Sequence, residues 1–164
     1  MNQISIISKN WEHTLLIGYI LGKLTRKPFL FECIGELGSG KTSLIKGYMQ
    51  YFGNEWKIKS PTFNIFKEYS TFYSNIYHID LYRLNQDELN GFYNALYTHK
   101  ECKSIIFIEW APVKQGERNK DALFQALIVF NFLKNSRLFT LYVKNFYFFL
   151  TFSSIFLYYK RDAG

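Results

Sequence analysis

Cysteine is scarce in this chain of 164 residues. Cys33 and Cys102 are the only two, too far apart for a metal or redox spacing. Paired-thiolate metal sites and dithiol redox motifs are therefore excluded. Cys33 reads as a small buried hydrophobe, and such usage suits a reducing cytosol. A basic arm or stripe is also missing. The net charge is +7, from 20 Lys and Arg against 13 Asp and Glu, but the acids are interleaved with the bases. That pattern describes a solvated surface, with weak contact to an acidic partner behind it. Residues 1–9 lack the basic-then-apolar layout of a signal peptide, which makes a cytoplasmic location the expectation. Residues 145–159 carry no charge, yet they fall short of the ~20 residues a spanning helix needs. Extending that run back to Leu138 brings Lys144 inside, at a cost of about 2.5–3.5 kcal/mol if central. With 48% apolar and 20% charged residues, the composition is globular, and the length gives one domain with a proper core.

What is present centres on residues 35–42, Gly-Glu-Leu-Gly-Ser-Gly-Lys-Thr. They fit the phosphate-binding loop G-x-x-x-x-G-K-[ST] with both glycines, the lysine and the hydroxyl in register. Glycine lets the backbone curl tightly around a phosphate. Lys41 can then reach the β/γ-phosphates as a point charge, and the Thr42 hydroxyl can bind Mg²⁺. With Gly near ~7% of residues, such a match arises by chance in roughly one chain of this length in a few hundred. The flanks fit as well. Residues 29–34 are a mostly apolar run of strand length, and Leu44, Ile45, Tyr48, Met49 and Phe52 repeat at helical spacing before Gly53.

In chain order, residues 4–7 read as an opening strand. A helix started by Ser8 or Asn10 follows, with Ile17, Ile20, Leu21 and Leu24 on one face. After the loop and its helix comes Lys57-Ile58-Lys59-Ser60-Pro61-Thr62-Phe63, shaped by Pro61. In a P-loop protein Thr62 can sense the γ-phosphate as switch loops do, or be an ordinary turn residue. Residues 63–69 and 76–81 read as antiparallel strands, since their connection is too short for a crossover helix. Asp80 ends the second, where a carboxylate beside a P-loop can orient water or hold Mg²⁺. A helix from Asp87 to Tyr97 follows. Ile105-Ile106-Phe107-Ile108 is a continuous apolar run, as for a parallel strand covered on both faces, and it delivers Glu109 as a Walker B-type acid. Trp110 comes next, as a cover for the nucleotide or a plain core residue. Residues 111–122 read as loop, then 127–133 and 137–143 as a hairpin. The aromatic tail, 144–164, reads as an extra strand or a poorly specified extension, with a membrane tether left open. The fold class is α/β: a P-loop NTPase-like, mostly parallel sheet flanked by helices, with an antiparallel hairpin component.

Four motifs in one order make the pattern specific. The P-loop, Ser60-Pro61-Thr62-Phe63, His78-Ile79-Asp80-Leu81-Tyr82-Arg83-Leu84 and Ile108-Glu109-Trp110 together resemble the TsaE family, small ATPases required in bacteria to make threonylcarbamoyladenosine in tRNA. The resemblance covers residues 1–143, including the helix with Glu12 and Thr14, and leaves 144–164 as a separate extension. It implies binding of ATP or ADP with Mg²⁺ and a role as ATPase partner of TsaD and TsaB, which carry out the threonylcarbamoyl transfer. Hydrolysis would reset that complex between turnovers; direct tRNA contact stays open.

The implied chemistry is phosphoryl transfer to water, catalysed by positioning and electrostatics. Glu36, Leu37, Gly38, Ser39, Gly40, Lys41, Thr42 and Ser43 would cradle the nucleotide, with Thr14 and Trp110 beside it. Lys41, Asp80 and Glu109 are the catalytic candidates. Thr42, Glu109 and Asp80 are the candidate metal ligands, and Thr62 the switch residue. Arg83 fits the family motif, but an ion pair explains it equally. The alternatives are a P-loop small-molecule kinase, which needs an arginine-rich lid and an acceptor pocket, and a non-hydrolysing nucleotide-dependent binding module.

Overall fold

The computed structural model describes residues 2–25, 28–53, 58–61, 64–98, 104–112 and 125–162. Their elements are β1 (Asn2–Ser8), α1 (Trp11–Leu24), β2 (Phe29–Ile34), α2 (Lys41–Gln50), β3 (Phe66–Ser70), β4 (Asn75–Asp80), α3 (Gln86–Thr98), β5 (Ile105–Glu109), β6 (Gln125–Leu133), β7 (Ser136–Val143) and α4 (Phe146–Asp162). The strands form one seven-stranded sheet in the order β1-β7-β6-β2-β5-β4-β3. The central β6, β2, β5 and β4 run parallel, while β7, β1 and β3 add antiparallel edges. The expected α/β class and mixed sheet are therefore both present.

Alternation along the strands sorts the core into two layers, as a pleated sheet requires. Phe29, Phe31 and Cys33 of β2, with Ile105 and Phe107 of β5, face α1, α2 and α4. Leu30, Ile106 and Ile108 face α3 with Leu89, Phe92, Tyr93 and Leu96. The Phe31 and Phe107 rings stack at 4.6 Å across the parallel pair, and Tyr48 of α2 meets Phe107 edge-on at 4.8 Å.

Helix α1 crosses α2 with backbones almost touching. A Cβ on Gly47 would fall 2.1 Å from the Leu15 carbonyl oxygen, and one on Gly18 would fall 2.0 Å from that of Leu44. Only glycine permits this approach. It brings the start of α1 beside the start of α2, which matters for the site. Both α1 and α3 are capped as their sequences specify. The Asn10 side chain accepts from the His13 N–H at 2.9 Å. Asn85 accepts from Asp87 and Glu88 N–H groups at 3.0 Å, while Glu88 reaches back to the Asn85 N–H at 2.8 Å, a reciprocal capping box.

The carboxyl-terminal segment departs from expectation. It is a helix, not an extra strand or an unspecified extension. Asn145 caps it by accepting from the Phe148 N–H at 2.8 Å. Phe148, Phe152 and Phe156 then stack along one face at 6.4 and 6.2 Å. Phe152 is fully buried in the same core layer as α1 and α2. Aromatic richness suggests a strand by propensity, but the period of four overrides it once a core face is available. No helix among the described residues is long and apolar enough to cross a membrane.

Candidate functional site

Strand β2 lies at the centre, with β5 on one side and β6 on the other, so connections diverge at its carboxyl end and open a crevice there. Residues 35–40 fill that crevice and lead into α2. Gly38 and Gly40 adopt φ of 75° and 107°, a region where side chains are strained. Gly40 is the α2 N-cap and offers no side-chain cap of its own. The free N–H groups of the first helical turn therefore face the loop, and with the helix dipole they favour an anion.

Lys41 is buried, and its ammonium donates to the Gly35 and Glu36 carbonyl oxygens at 2.8 and 2.9 Å. Its Nζ also lies 4.2 Å from the centroid of the Trp110 ring. Burial lowers its pKa, and the neighbouring Glu109, Cys33 and Asp80 oppose that shift. Beside it, Thr42 Oγ1 donates to Glu109 Oε1 at 2.8 Å. The same oxygen meets His78 Nε2 at 2.7 Å. A carboxylate can only accept, so the His78 proton in this bond sits on Nε2. His78 Nδ1 is buried and unpartnered. Asp80 is level with Glu109 across the β4–β5 ladder. Ser60 Oγ donates to its Oδ2 at 2.9 Å, and the Tyr82 N–H donates to its Oδ1 at 3.0 Å.

Two residues here hold left-handed backbone without being glycine: Trp110 at φ 61° and Ile65 at φ 62°. Each costs about 1–2 kcal/mol. Trp110 follows Glu109 directly and packs on Tyr82 with ring centroids 4.8 Å apart. The Ile65 carbonyl accepts from the Asp80 N–H at 2.8 Å. Strain of this kind persists where the surroundings fix a functional geometry.

The cradle fits a phosphate chain. Ser39 Oγ is buried inside the loop without a hydrogen-bond partner, and such orphans call for an acceptor. Among the described residues no three His, Cys, Asp or Glu side chains converge as a metal cage. One hydroxyl and one or two carboxylates are what a Mg²⁺–nucleotide site asks of a protein, since phosphates and water complete the shell.

Comparison with known proteins meets this geometry from the other direction. The sequence model described as "Threonylcarbamoyl adenosine biosynthesis protein TsaE" matches residues 8–135. The chain belongs to the TsaE family. Relatives named tRNA threonylcarbamoyladenosine biosynthesis protein TsaE include one from Haemophilus influenzae, 40% identical over 59% of this chain and 61% of that protein. The match thus spans about three-fifths of the Haemophilus relative's length. The Bacillus subtilis relative is 32% identical over 75% of this chain and 76% of its own length. A crystal structure of Bacillus subtilis YdiB shares the fold with a TM-score of 0.69 at 22% identity, covering 97% of both chains.

Within this TsaE-family fold the expected site residues are distributed unequally. Lys41, Thr42, Glu109 and Trp110 converge directly. Asp80 stands one strand away, held by Ser60. Thr14 is buried behind Gly40, its hydroxyl 3.0 Å from Ser8 Oγ. Ser43 is half-buried on the first turn of α2, whereas Glu36, Leu37 and Gly38 form the exposed rim of the loop. Arg83 is exposed. Thr62 and Cys102 lie outside the described residues. His78 and Ser60, which the motifs contain without pointing to a role, hold the two carboxylates. Alternation supplies the missing signal for His78: it precedes Asp80 by two on a strand, so both face the loop.

Proposed function

We propose that this chain is an ATPase of tRNA threonylcarbamoyladenosine biosynthesis, hydrolysing ATP to ADP and phosphate and acting on a TsaD–TsaB complex. The observation that carries the reading is the Thr42–Glu109 hydrogen bond of 2.8 Å at the mouth of the P-loop. It joins a P-loop hydroxyl to a strand-end acid, the pairing that a Mg²⁺–nucleotide site uses. Membership of the TsaE family supports the biological role, and the names of the relatives supply its RNA context.

The free backbone N–H groups at the start of α2 bind the phosphates as a preorganised set of donors, so little reorganisation is needed as charge moves. Lys41 adds a positive charge from a buried position. Thr42 and Glu109, with Asp80 beyond them, would hold Mg²⁺, which when bound would neutralise phosphate charge. His78 keeps the Glu109 carboxylate oriented through its Nε2–H. Asp80, with one oxygen on Ser60 and the other on the Tyr82 N–H, is the group that orients the attacking water. Trp110 covers Lys41 and limits the access of bulk solvent. TsaD and TsaB supply the surface that completes the site.

Hydrolysis by the purified chain, alone and with TsaD and TsaB, tests this. Partner-stimulated turnover that disappears in Lys41→Ala is the expected result. Nucleotide binding without any partner association or change in rate would leave a P-loop protein but remove the assigned role.

A further inference from the structure

The P-loop has two flanks, and the roles above use only one. Lys41, Glu109, Trp110 and Asp80 lie towards β5 and β4. On the other side of β2 stand β6 and β7, and β7 carries Arg137, level with Ser8 of β1 and Phe132 of β6. A methyl group built on Gly40 would meet Thr14 Cγ2 at 3.5 Å, Arg137 Cδ at 3.6 Å and Phe139 Cζ at 3.7 Å. The arginine stem therefore packs against the glycine that opens α2.

Its charge is unspent. Arg137 Nε is buried without a hydrogen-bond partner. Among the described residues no carboxylate pairs with Arg137. A buried guanidinium N–H without an acceptor is costly. Here the orphan lies beside a helix N-terminus and a phosphate-binding loop, where an anion belongs on independent grounds. The side chain is half-buried overall, with room for the remaining donors to reach a ligand.

The phosphate chain gives this flank its meaning. Its terminal phosphate must face Thr42, Glu109 and Asp80, where the metal and water act. The opposite flank then serves the α-phosphate and the nucleoside. We infer that Arg137 is a nucleotide-binding residue that donates to the α-phosphate end, holding ATP and ADP alike. It is a binding group, remote from the bond that breaks. The inference rests on the ATPase reading above and adds to it a residue two positions beyond the stretch matched by the family, 8–135.

The test uses the full chain with wild type, Arg137→Ala, Arg137→Lys and Lys41→Ala. ADP and ATP are titrated calorimetrically with Mg²⁺, thermal melts are run with and without ADP, and steady-state hydrolysis is measured. Arg137→Ala should weaken ADP and ATP to the same extent, about tenfold to a hundredfold. The loss should fall on KM rather than kcat. The melting temperature without nucleotide should hold, since no protein partner is lost, while the rise produced by ADP shrinks. Arg137→Lys should recover part of the affinity, because it restores charge without the planar fork. Unchanged ADP affinity in Arg137→Ala, alongside its loss in Lys41→Ala, overturns this inference and leaves the ATPase reading standing. A defect confined to kcat also overturns it, by making Arg137 a transition-state group. A wild-type chain that binds neither nucleotide overturns both.

Discussion

The crevice at the end of β2 and the helix α4 are both parts of one fold, but they are built on opposite terms. At the crevice, polar groups are buried, two non-glycine residues hold left-handed backbone, and Ser39 and His78 each leave a polar atom unpaired. Helix α4 has an Asn cap, a stacked aromatic face and a core phenylalanine with no exposed surface. One region keeps unspent polar capacity that a ligand can use. The other commits one aromatic face to the protein's own core. Replacements in the first should therefore change binding and turnover with little effect on stability, and replacements in the second should do the reverse.

The largest expected effect is on the packing side. Phe152→Ala empties a fully buried site between α1 and the sheet, at about 3–5 kcal/mol. For a domain of this size that lowers the melting temperature by roughly 10 °C. ADP affinity, measured well below the melt, should stay within about twofold. A Phe152→Ala protein that melts normally but loses ADP would erase the division between the two regions.

Lys41→Ala is the counterpart. Removing one preorganised charge from the phosphate site should reduce turnover by about a hundredfold to a thousandfold. Losing a buried ammonium should leave the melting temperature nearly where it was, because burial already lowers this group's pKa and so opposes its charged form. The check is a melt and an ATPase assay on one preparation. Equal losses in both would mean that the crevice is also a structural keystone.

What the sequence made legible follows the same division. Residues 35–42, the apolar run of β5 and the acid at its end were readable because phosphate chemistry dictates both residue type and spacing. Asp80 was readable as a strand end. Alternation puts His78 on the Asp80 face of the strand, but its partner was not readable; the register of β4 against β5 brings it to Glu109. Arg137 was hidden for a related reason: its neighbour Gly40 is nearly a hundred positions away, and the β7–β6–β2 order alone brings them together. In the tail, aromatic content suggests a strand, but its period of four prevails as a helix. The match to the family ends at residue 135, but the likeness to YdiB covers 97% of this chain, a span that takes in α4.

His78→Asn gives an intermediate effect that sharpens the boundary. Glu109 keeps its bond to Thr42 but loses the ring that fixes its rotamer. Outer groups of this kind typically contribute tenfold to a hundredfold in metal affinity. Titrating Mg²⁺ against ADP binding should show a weaker Mg²⁺ dependence by about that factor, with ADP affinity at saturating Mg²⁺ nearly restored. If ADP affinity falls equally at every Mg²⁺ concentration, His78 supports the loop itself and not the carboxylate proposed to hold Mg²⁺.

The smallest effect makes the finest comparison. Asn10 and Asn145 do the same job at two helices, each accepting an N–H three residues on, at 2.9 and 2.8 Å. Alanine at either should cost about 1 kcal/mol, or roughly 2–4 °C in melting temperature. Their surroundings differ. The Asn10 carbonyl also accepts from Ser8 Oγ at 2.9 Å, and Ser8 in turn meets Thr14 Oγ1, whose methyl backs Gly40. Loosening the start of α1 thus reaches the phosphate loop through two hydrogen bonds and one packing contact. Asn10→Ala should therefore weaken ADP binding by a few-fold in addition to its stability cost, while Asn145→Ala should leave it unchanged. The two caps are matched in chemistry and energy, so any difference in ADP affinity between the variants measures location alone. Identical affinities would place the start of α1 outside the binding machinery and return Thr14 to the core.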